Sequence, residues 1–423
     1  MSPWDYGWDK MTPEFLVLKK PSDALKEFLE SIPPIKLEKS TIPTEKAIGR
    51  VAAEPIISPE SSPAFRRSTV DGYAVSSKDT HGSSEGLPTY LKIIGEIRMG
   101  ERNHQNPGRG EAVMIYTGGM IPTGCDAVIM VENTQISREN EIEVNKPVSH
   151  GENILTEGED LSIGEVIITG GKLIRAAEIG GLLAVGIDQV MVFNRPRVGI
   201  LSSGDELVPP SKKPNPGQVR DINSSILAVM VEKYGGIPVL YEVMPDDAEI
   251  MKERIINAFT ECDSLVITAG SSASTRDFTS RIIQQLGKPG ILSHGINIKP
   301  GKPTILAICE GKPVIGLPGN PVSAFVIATL FVIPMLKAIC GASKQFQNSP
   351  GKARINVNLA SVAGREDYWP VTFTTKNGEL IAEPIYFKSN LIFTLVKADG
   401  LAIIPLDANG VEAGEFIDIL PVE

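Results

Sequence analysis

The sequence predicts a multidomain α/β plus β protein, and three observations carry that prediction. Brief apolar runs at 198–201, 264–268 and 314–317 each lead through a loop of small or turn-forming residues into a helix-like segment. Strand–loop–helix repetition implies βαβ units, hence a parallel sheet with helices on both faces. Between about 55 and 148, short alternating runs are separated by Gly, Pro, Asn and Asp, which marks β-rich structure with frequent turns. From about 350 to the end, period-two runs return with turn signals at Asn377-Gly378 and Asn409-Gly410, as expected of a small β-barrel or sandwich.

The elements follow in order. Residues 21–32 have Ala24, Leu25, Phe28 and Leu29 on one helical face, with Ser22 as the predicted N-cap. A second short helix is predicted over 44–53, capped by Thr44. Strands are expected at 90–97, 112–116, 127–132 and 141–144, and a helix at 175–185. Helical periodicity recurs at 224–234, 248–259 and 279–286. The most apolar run, 322–338, contains Pro334 and starts directly after a Pro-Gly-Asn-Pro turn. A membrane span needs about 20 apolar residues, so this run reads as a helix buried in the core or at a dimer interface. The expected domains are a discontinuous helical and linker domain (1–46 and 150–189), an inserted β-rich lobe (47–149), an α/β domain (190–345) and a C-terminal β-barrel (346–423).

Composition narrows the function. The 423 residues carry a formal net charge of −10, whereas nucleic-acid binders draw most of their affinity from cationic neutralisation of phosphate. Neither nucleic acid nor membrane is expected as a partner. The four cysteines, Cys125, Cys262, Cys309 and Cys340, include no CxxC pair, and the four histidines show no HExxH pattern. A structural zinc site or protein-ligated zinc enzyme is therefore not expected. Scattered cysteines and the lack of an apolar leader in 1–20 lead to an expected cytoplasmic location. No GxGxxG follows a strand, and neither a GxxxxGK[ST] loop nor a GxSxG elbow occurs, which removes the simplest dehydrogenase, P-loop and esterase readings.

In an open α/β sheet, ligands bind beyond the carboxyl ends of the strands. Three loops belong there: Ser202-Ser203-Gly204-Asp205-Glu206, Ala269-Gly270-Ser271-Ser272-Ala273-Ser274 and Leu317-Pro318-Gly319-Asn320-Pro321. Each lets backbone approach a ligand closely, and the helix starts behind two of them favour anions. Pro321 suits the first position of its helix. Any one of these loops is equally an ordinary βα turn; three in one domain point to a site. Lys299-Pro300-Gly301-Lys302 adds two cations on a rigid turn, suited to phosphate, although read alone a solvated lysine turn explains it better. Asp205, Glu206, Asp221 and Asp277 gather at the same rim. Acidic oxygens beside phosphate-binding loops are what Mg²⁺ uses, although each of these side chains also suits a helix cap or a surface.

At these residues the chain resembles a known family. Arg67-Ser68-Thr69-Val70-Asp71-Gly72-Tyr73-Ala74-Val75, Tyr116-Thr117-Gly118-Gly119 with Pro122-Thr123-Gly124, and Gly158-Glu159-Asp160 match its signatures. So do 198–207, 217–224, Lys299-Pro300-Gly301-Lys302-Pro303 and Leu317-Pro318-Gly319-Asn320-Pro321-Val322-Ser323. The family is that of the molybdenum-insertion enzymes of molybdenum cofactor biosynthesis (MoeA and the gephyrin E-domain), and the matches keep its order over nearly the whole chain.

The resemblance implies a molybdopterin-binding-type α/β domain in a four-part, elongated subunit that forms a homodimer. Its active cleft would lie between that domain and the β-rich lobe of the partner chain. The implied reaction joins molybdate (or tungstate) to adenylylated molybdopterin and releases AMP, with Mg²⁺ assisting. Carried over residue by residue, Asp71 is a polar or acid–base group, Thr117 an oxyanion donor, and Glu206 a catalytic residue. Glu206 and Asp277 are the implied Mg²⁺ or pterin contacts. Lys299 and Lys302 would bind phosphate. The remaining substrate contacts are placed at Ser203, Gly204, Asp205, Gly270, Ser271, Ser272, Gly301, Pro318, Gly319, Asn320 and Pro321, the two prolines shaping their loop. Asp160 and Arg365 match weaker positions that structural roles explain equally well.

Four departures stand out. Ala269 and Ser274 replace family glycines, Gly295 stands where a basic residue is usual, Leu155-Thr156-Glu157 replaces arginines before Gly158, and Lys388-Ser389-Asn390 replaces a Gly-Ser-Gly-like turn. The altered glycine loop and Gly295 motivate an alternative, a non-catalytic molybdopterin-binding paralogue or scaffold. A third reading, an adenylyltransferase acting on molybdopterin, is disfavoured by the lobe that carries Asp71.

Overall fold

The computed structural model describes residues 18–33, 37–102, 104–269, 273–342 and 351–422, with no side chains described within 273–277. Three six-stranded sheets organise it.

The sheet of the α/β domain is ordered Ile237–Leu240, Arg197–Ser202, Ser264–Ala269, Lys312–Pro318, Ile305–Cys309, Pro289–His294. Its first four strands are parallel, but the last two are antiparallel to their neighbours, so the sheet is mixed rather than all-parallel. The reason is local. Glu310 (φ 45°) and Gly311 (φ 80°) both take left-handed conformations, as a two-residue type I′ hairpin requires. That tight turn returns the chain antiparallel at once. Helices cover both faces. Asn223–Lys233, the Pro321–Ile339 rod and the N-terminal helix Pro21–Ser31 share one core, with Phe28, Leu227, Val231, Ile315 and Phe331 fully buried. Ala248–Glu261 and Ala273–Gln285 pack on the other face through Met251, Ile255 and Ile283.

The rod is α-helical over Pro321–Ile327 and Ile333–Ile339, with a wider π-helical turn at Ala328–Val332. Pro334 has no N–H to give to the preceding turn, and a π-turn is one way a helix absorbs such a defect. The rod is long and apolar enough to cross a bilayer, yet 67% of its most apolar window is buried inside the molecule. It is a core helix, as predicted.

The lobe sheet runs Ala127–Met130, Gly72–Val75, Glu111–Ile115, Thr89–Ile97, Glu141–Val144, Thr134–Arg138. Gly72 is dictated by close approach, because a Cβ there would lie 1.8 Å from the Ile129 carbonyl oxygen. In the C-terminal part, Gly351–Ile355, Glu366–Lys376, Glu379–Pro384, Gly400–Ile404 and Phe416–Pro421 close on themselves as a five-stranded barrel. Asn377 (φ 53°) and Gly378 (φ 81°) form the predicted tight turn.

Two local expectations fail. Pro21 occupies the first turn of its helix and Lys20 the cap position, so Ser22 is not the N-cap. The predicted 44–53 helix is only a 3₁₀ turn, Thr44–Lys46. Its remaining residues are drawn into bridges, Val51 with Leu173 and Ala52 with Val192. Tertiary pairing there outweighs a weak local preference. Helix Ala176–Ala184 forms where expected.

Candidate active site

The site is assembled at one edge of the α/β sheet. Ser202 is in register with Thr268, and Ala269 with Pro318, so these three adjacent strands end side by side. The Ser203 N–H donates to the Thr268 carbonyl (3.0 Å) and the Gly204 N–H to that of Met244 (3.1 Å). Ser203 is 1% exposed and its hydroxyl has no hydrogen-bond partner. Gly204 sits at φ 152° beneath the Glu206 carboxyl group. Asp205 accepts from the Asp246 N–H (3.2 Å).

A buried polar chain underlies this edge. Thr268 Oγ1 lies 2.9 Å from Ser202 Oγ, which lies 2.6 Å from Ser224 Oγ; Ser224 in turn donates to Asp221 Oδ2 at 2.5 Å. The Ser224 N–H also donates to Asp221 Oδ1 (3.2 Å), so Asp221 caps the Asn223–Lys233 helix. Its oxygens are therefore committed to the protein. Asn223 Nδ2 donates to the Gly319 carbonyl (2.8 Å), fastening that helix to the Pro-Gly-Asn-Pro loop. Sequence reasoning placed Asp221 at the rim but missed the roles of Ser202, Asn223, Ser224 and Thr268. The available signal was small polar residues ending two apolar strands, with Asp-x-Asn-Ser opening the next helix.

Pro321 opens its helix as predicted, with Asn320 at the cap position. Asn320 Nδ2 donates to Ser389 Oγ (3.0 Å) and the Val322 N–H to the Ser389 carbonyl (3.0 Å). The departure at 388–390 thus still closes onto the rim. The lysine turn lies close by: Gly301 is at φ 117°, and a Cβ there would come within 2.5 Å of the Ile327 side chain. Lys299 and Lys302 are exposed and neither is in a salt bridge among the described residues. Lys299 is paired in register with Asp367 of the barrel, which is 1% exposed and takes a bidentate pair from Arg365 (2.6 and 3.0 Å). Arg365 is thereby occupied structurally.

Gly270, Ser271 and Ser272 lie outside the described residues, as does the Asp277 side chain. Two of the departures are resolved nonetheless. Ala269 is an ordinary strand residue, and Ser274 falls in the first turn of Ala273–Gln285, so neither needs the left-handed backbone that only glycine tolerates well. Gly295 does, at φ 101°, and its N–H is held by the Thr304 carbonyl.

In the lobe, the Thr117 N–H (2.7 Å) and hydroxyl (2.9 Å) both donate to Asp71 Oδ1. These bonds, the backbone one foremost, hold the Asp71 carboxyl below its ordinary range. The Thr117 hydroxyl proton is thus directed at Asp71, not outward as an oxyanion donor would be. Gly118 (φ 84°) and Gly119 carry the loop back, with the Gly118 N–H donating to the Ser68 carbonyl and the Ser68 N–H to that of Gly119. Gly158-Glu159-Asp160 forms a turn pinned to 62–63, the Gly158 N–H donating to the Pro63 carbonyl and the Asp160 N–H to that of Ser62. Among the described residues, no hydrogen bond or salt bridge joins Asp71 or Thr117 to the α/β rim.

This combination of a molybdopterin-binding-type α/β domain, a β-rich lobe and a terminal barrel defines a class of cofactor-assembly proteins. Family comparison agrees along the chain. Residues 20–186 match the MoeA N-terminal region (domain I and II), 199–338 the probable molybdopterin binding domain and 352–422 the MoeA C-terminal region (domain IV). The chain belongs to the MoeA family of molybdenum cofactor biosynthesis, among whose curated relatives are proteins named as transferases. It is 31% identical to the molybdopterin molybdenumtransferase of Haemophilus influenzae, covering 94% of this chain and 97% of that one. To the enzyme of the same name from Staphylococcus aureus strain MRSA252 it is 30% identical, over 93% and 95% of the two chains. The crystal structure of the molybdopterin biosynthesis MoeA protein from Pyrococcus horikoshii OT3 superimposes with a TM-score of 0.81 at 34% identity, covering 95% of this chain and all of that one.

Proposed function

We propose that the protein inserts molybdate or tungstate into adenylylated molybdopterin and releases AMP. The observation that carries this reading is three adjacent strand ends together with two exposed lysines and an exposed Glu206 carboxylate, none of the three in a salt bridge among the described residues. A diphosphate-bearing pterin needs that set of groups. Backbone N–H groups and the buried Ser203 hydroxyl offer hydrogen bonds. Lys299 and Lys302 supply point charges for phosphate, and Pro318, Gly319, Asn320 and Pro321 hold a ridge against the ligand.

Mg²⁺ fits this rim. Among the described residues no three His, Cys, Asp or Glu side chains form a ready-made cage, but Mg²⁺ is commonly held by one or two carboxylates plus substrate oxygens. Glu206 has its carboxyl group free for that role, with Asp277 as the second candidate. The ion would polarise the phosphoanhydride and offset charge as AMP departs. Asp205 and Asp221, already bonded within the protein, serve as supports.

Asp71 acts in the ionised form. Its lowered pKa suits an electrostatic or proton-accepting role and disfavours a general acid, and Thr117 orients it. Because Asp71 makes no bond to its own chain's rim among the described residues, we assign it to the rim of a partner copy in a homodimer, working in the cytoplasm. Purified protein given adenylylated molybdopterin, Mg²⁺ and molybdate or tungstate should release AMP only when the oxyanion is present. Binding without oxyanion-dependent release would reject catalysis in favour of a scaffold. Asp71→Asn should keep ligand binding and lose at least about 100-fold in turnover; full turnover would remove Asp71 from the mechanism.

A further inference from the structure

A small cavity lies far from the proposed site, where the N-terminal region meets the α/β domain. Its volume is about 40 Å³, and Arg50, Arg195 and Lys337 line it together with Asn194, Tyr234 and Cys340. A water centre needs roughly 10–15 Å³ on this measure, so the space suits about three waters or one tetrahedral oxyanion. Among the described residues no carboxylate lines it.

The charges come from three separate elements. Arg50 lies on the turn before Val51 and donates through Nη2 to the Phe193 carbonyl (2.8 Å), which leaves the rest of its guanidinium fork for other acceptors. Arg195 follows the Gln189–Phe193 strand, and Lys337 is in the last turn of the long rod. Burial, then the Arg195 charge, lower the Arg50 pKa, against a smaller opposing effect of Cys340. The Cys340 thiol, pushed up to about 12 by burial, stays neutral and donates to the Tyr234 and Gly235 carbonyls. Two helix C-termini end here, and their dipoles together supply about one negative unit. Lys337 and Lys233 both lie over the Tyr234 ring (5.8 Å from the centroid). Arg50 and Arg195 carry the charge left for a ligand, since both line the cavity and neither is in a salt bridge among the described residues.

We propose that this cavity binds a small tetrahedral dianion, gripped between Arg50 and Arg195. The ligand ties residues 49–51 and 193–195 to the α/β domain and stabilises their junction. It is either free phosphate or the metal oxyanion of the proposed reaction. The cavity lies 16 residues along the rod from Pro321, about 24 Å at the helical rise, so the two sites can be tested apart.

The test is thermal unfolding of the full chain titrated with sodium phosphate, and separately with sodium molybdate, at ionic strength held constant with chloride. Wild-type protein should show a saturable rise in midpoint. Arg195→Gln alters an exposed side chain and should leave the ligand-free midpoint nearly unchanged while weakening the apparent affinity about tenfold or more. Arg50→Gln should weaken the apparent affinity in the same way, from a lower ligand-free midpoint because it also loses the bond to the Phe193 carbonyl. A Lys299→Ala/Lys302→Ala variant should keep the response, because those lysines belong to the other site. A stronger response to phosphate identifies the free anion; a stronger response to molybdate identifies the substrate oxyanion. A wild type without a saturable shift overturns the proposal, as does an Arg195→Gln protein with the wild-type response. A response lost only in the lysine variant assigns the anion to the catalytic rim and overturns it equally, while leaving the transferase reading intact.

Discussion

Replacing Asp221 by Ala tests whether the buried polar chain supports the site. Asp221 is 6% exposed and accepts two hydrogen bonds from Ser224, one from the hydroxyl (2.5 Å) and one from the N–H at the start of Asn223–Lys233. Losing a helix cap costs about 0.5–2 kcal/mol. Leaving a buried donor without its acceptor costs about 1–3 kcal/mol. Ser224 retains Ser202 at 2.6 Å, which softens the second cost, so about 2–3 kcal/mol is expected. Urea unfolding should report that loss. Ser224→Ala should cost less, and the double variant should fall short of the sum by about 1–2 kcal/mol, since the partners share one interaction. The same helix fastens the Gly319 carbonyl through Asn223, so KM for the adenylylated pterin should rise with the stability loss. Strict additivity of the two substitutions, or a single-variant cost below about 0.5 kcal/mol, would refute the supporting role of the chain.

Two further outcomes follow from the structure. Glu178 is 7% exposed on its side chain and is held by Arg175 (2.6 Å) and Lys172 (3.1 Å). The Arg175 bond foremost brings its carboxyl from an ordinary 4.5 down to about 2. A depressed acid stabilises the fold above its unfolded pKa and ceases to do so as pH falls through the folded one. The stability gap between wild type and Glu178→Gln, about 2 kcal/mol at neutral pH, should therefore close between about pH 4.5 and pH 2 in denaturation series; a gap that widened on acidification would contradict the assignment. Gly301→Ala introduces a Cβ at φ 117°, within 2.5 Å of Ile327. Strain and overpacking together should cost about 2–4 kcal/mol and displace Lys299 and Lys302, so calorimetry and AMP release should fall together. A stable, active variant would show that the turn adapts.

Much of the fold was legible because its signals are local. The apolar runs ending in Ser202, Thr268 and Leu317, the rod after Pro321 and the Asn377-Gly378 turn all declare themselves within a few residues. The antiparallel edge strands were missed because Glu310-Gly311 is a less usual pair for a type I′ turn than Asn-Gly. The 44–53 helix was over-read because Val51 and Ala52 pair with residues more than 100 positions away, which no window of sequence contains.

What the sequence determined by itself was the order of strands, helices and glycine turns, and with it the family, since backbone conformation and hydrophobic period are properties of neighbouring residues. The tertiary structure alone decided how the site's side chains are spent. Asp221 turns inward to Ser224, Arg365 to Asp367 and Thr117 to Asp71, while Lys299, Lys302 and Glu206 have no side-chain partner among the described residues. Those allocations depend on distances between segments far apart in the chain, and such distances exist only once the cores have packed.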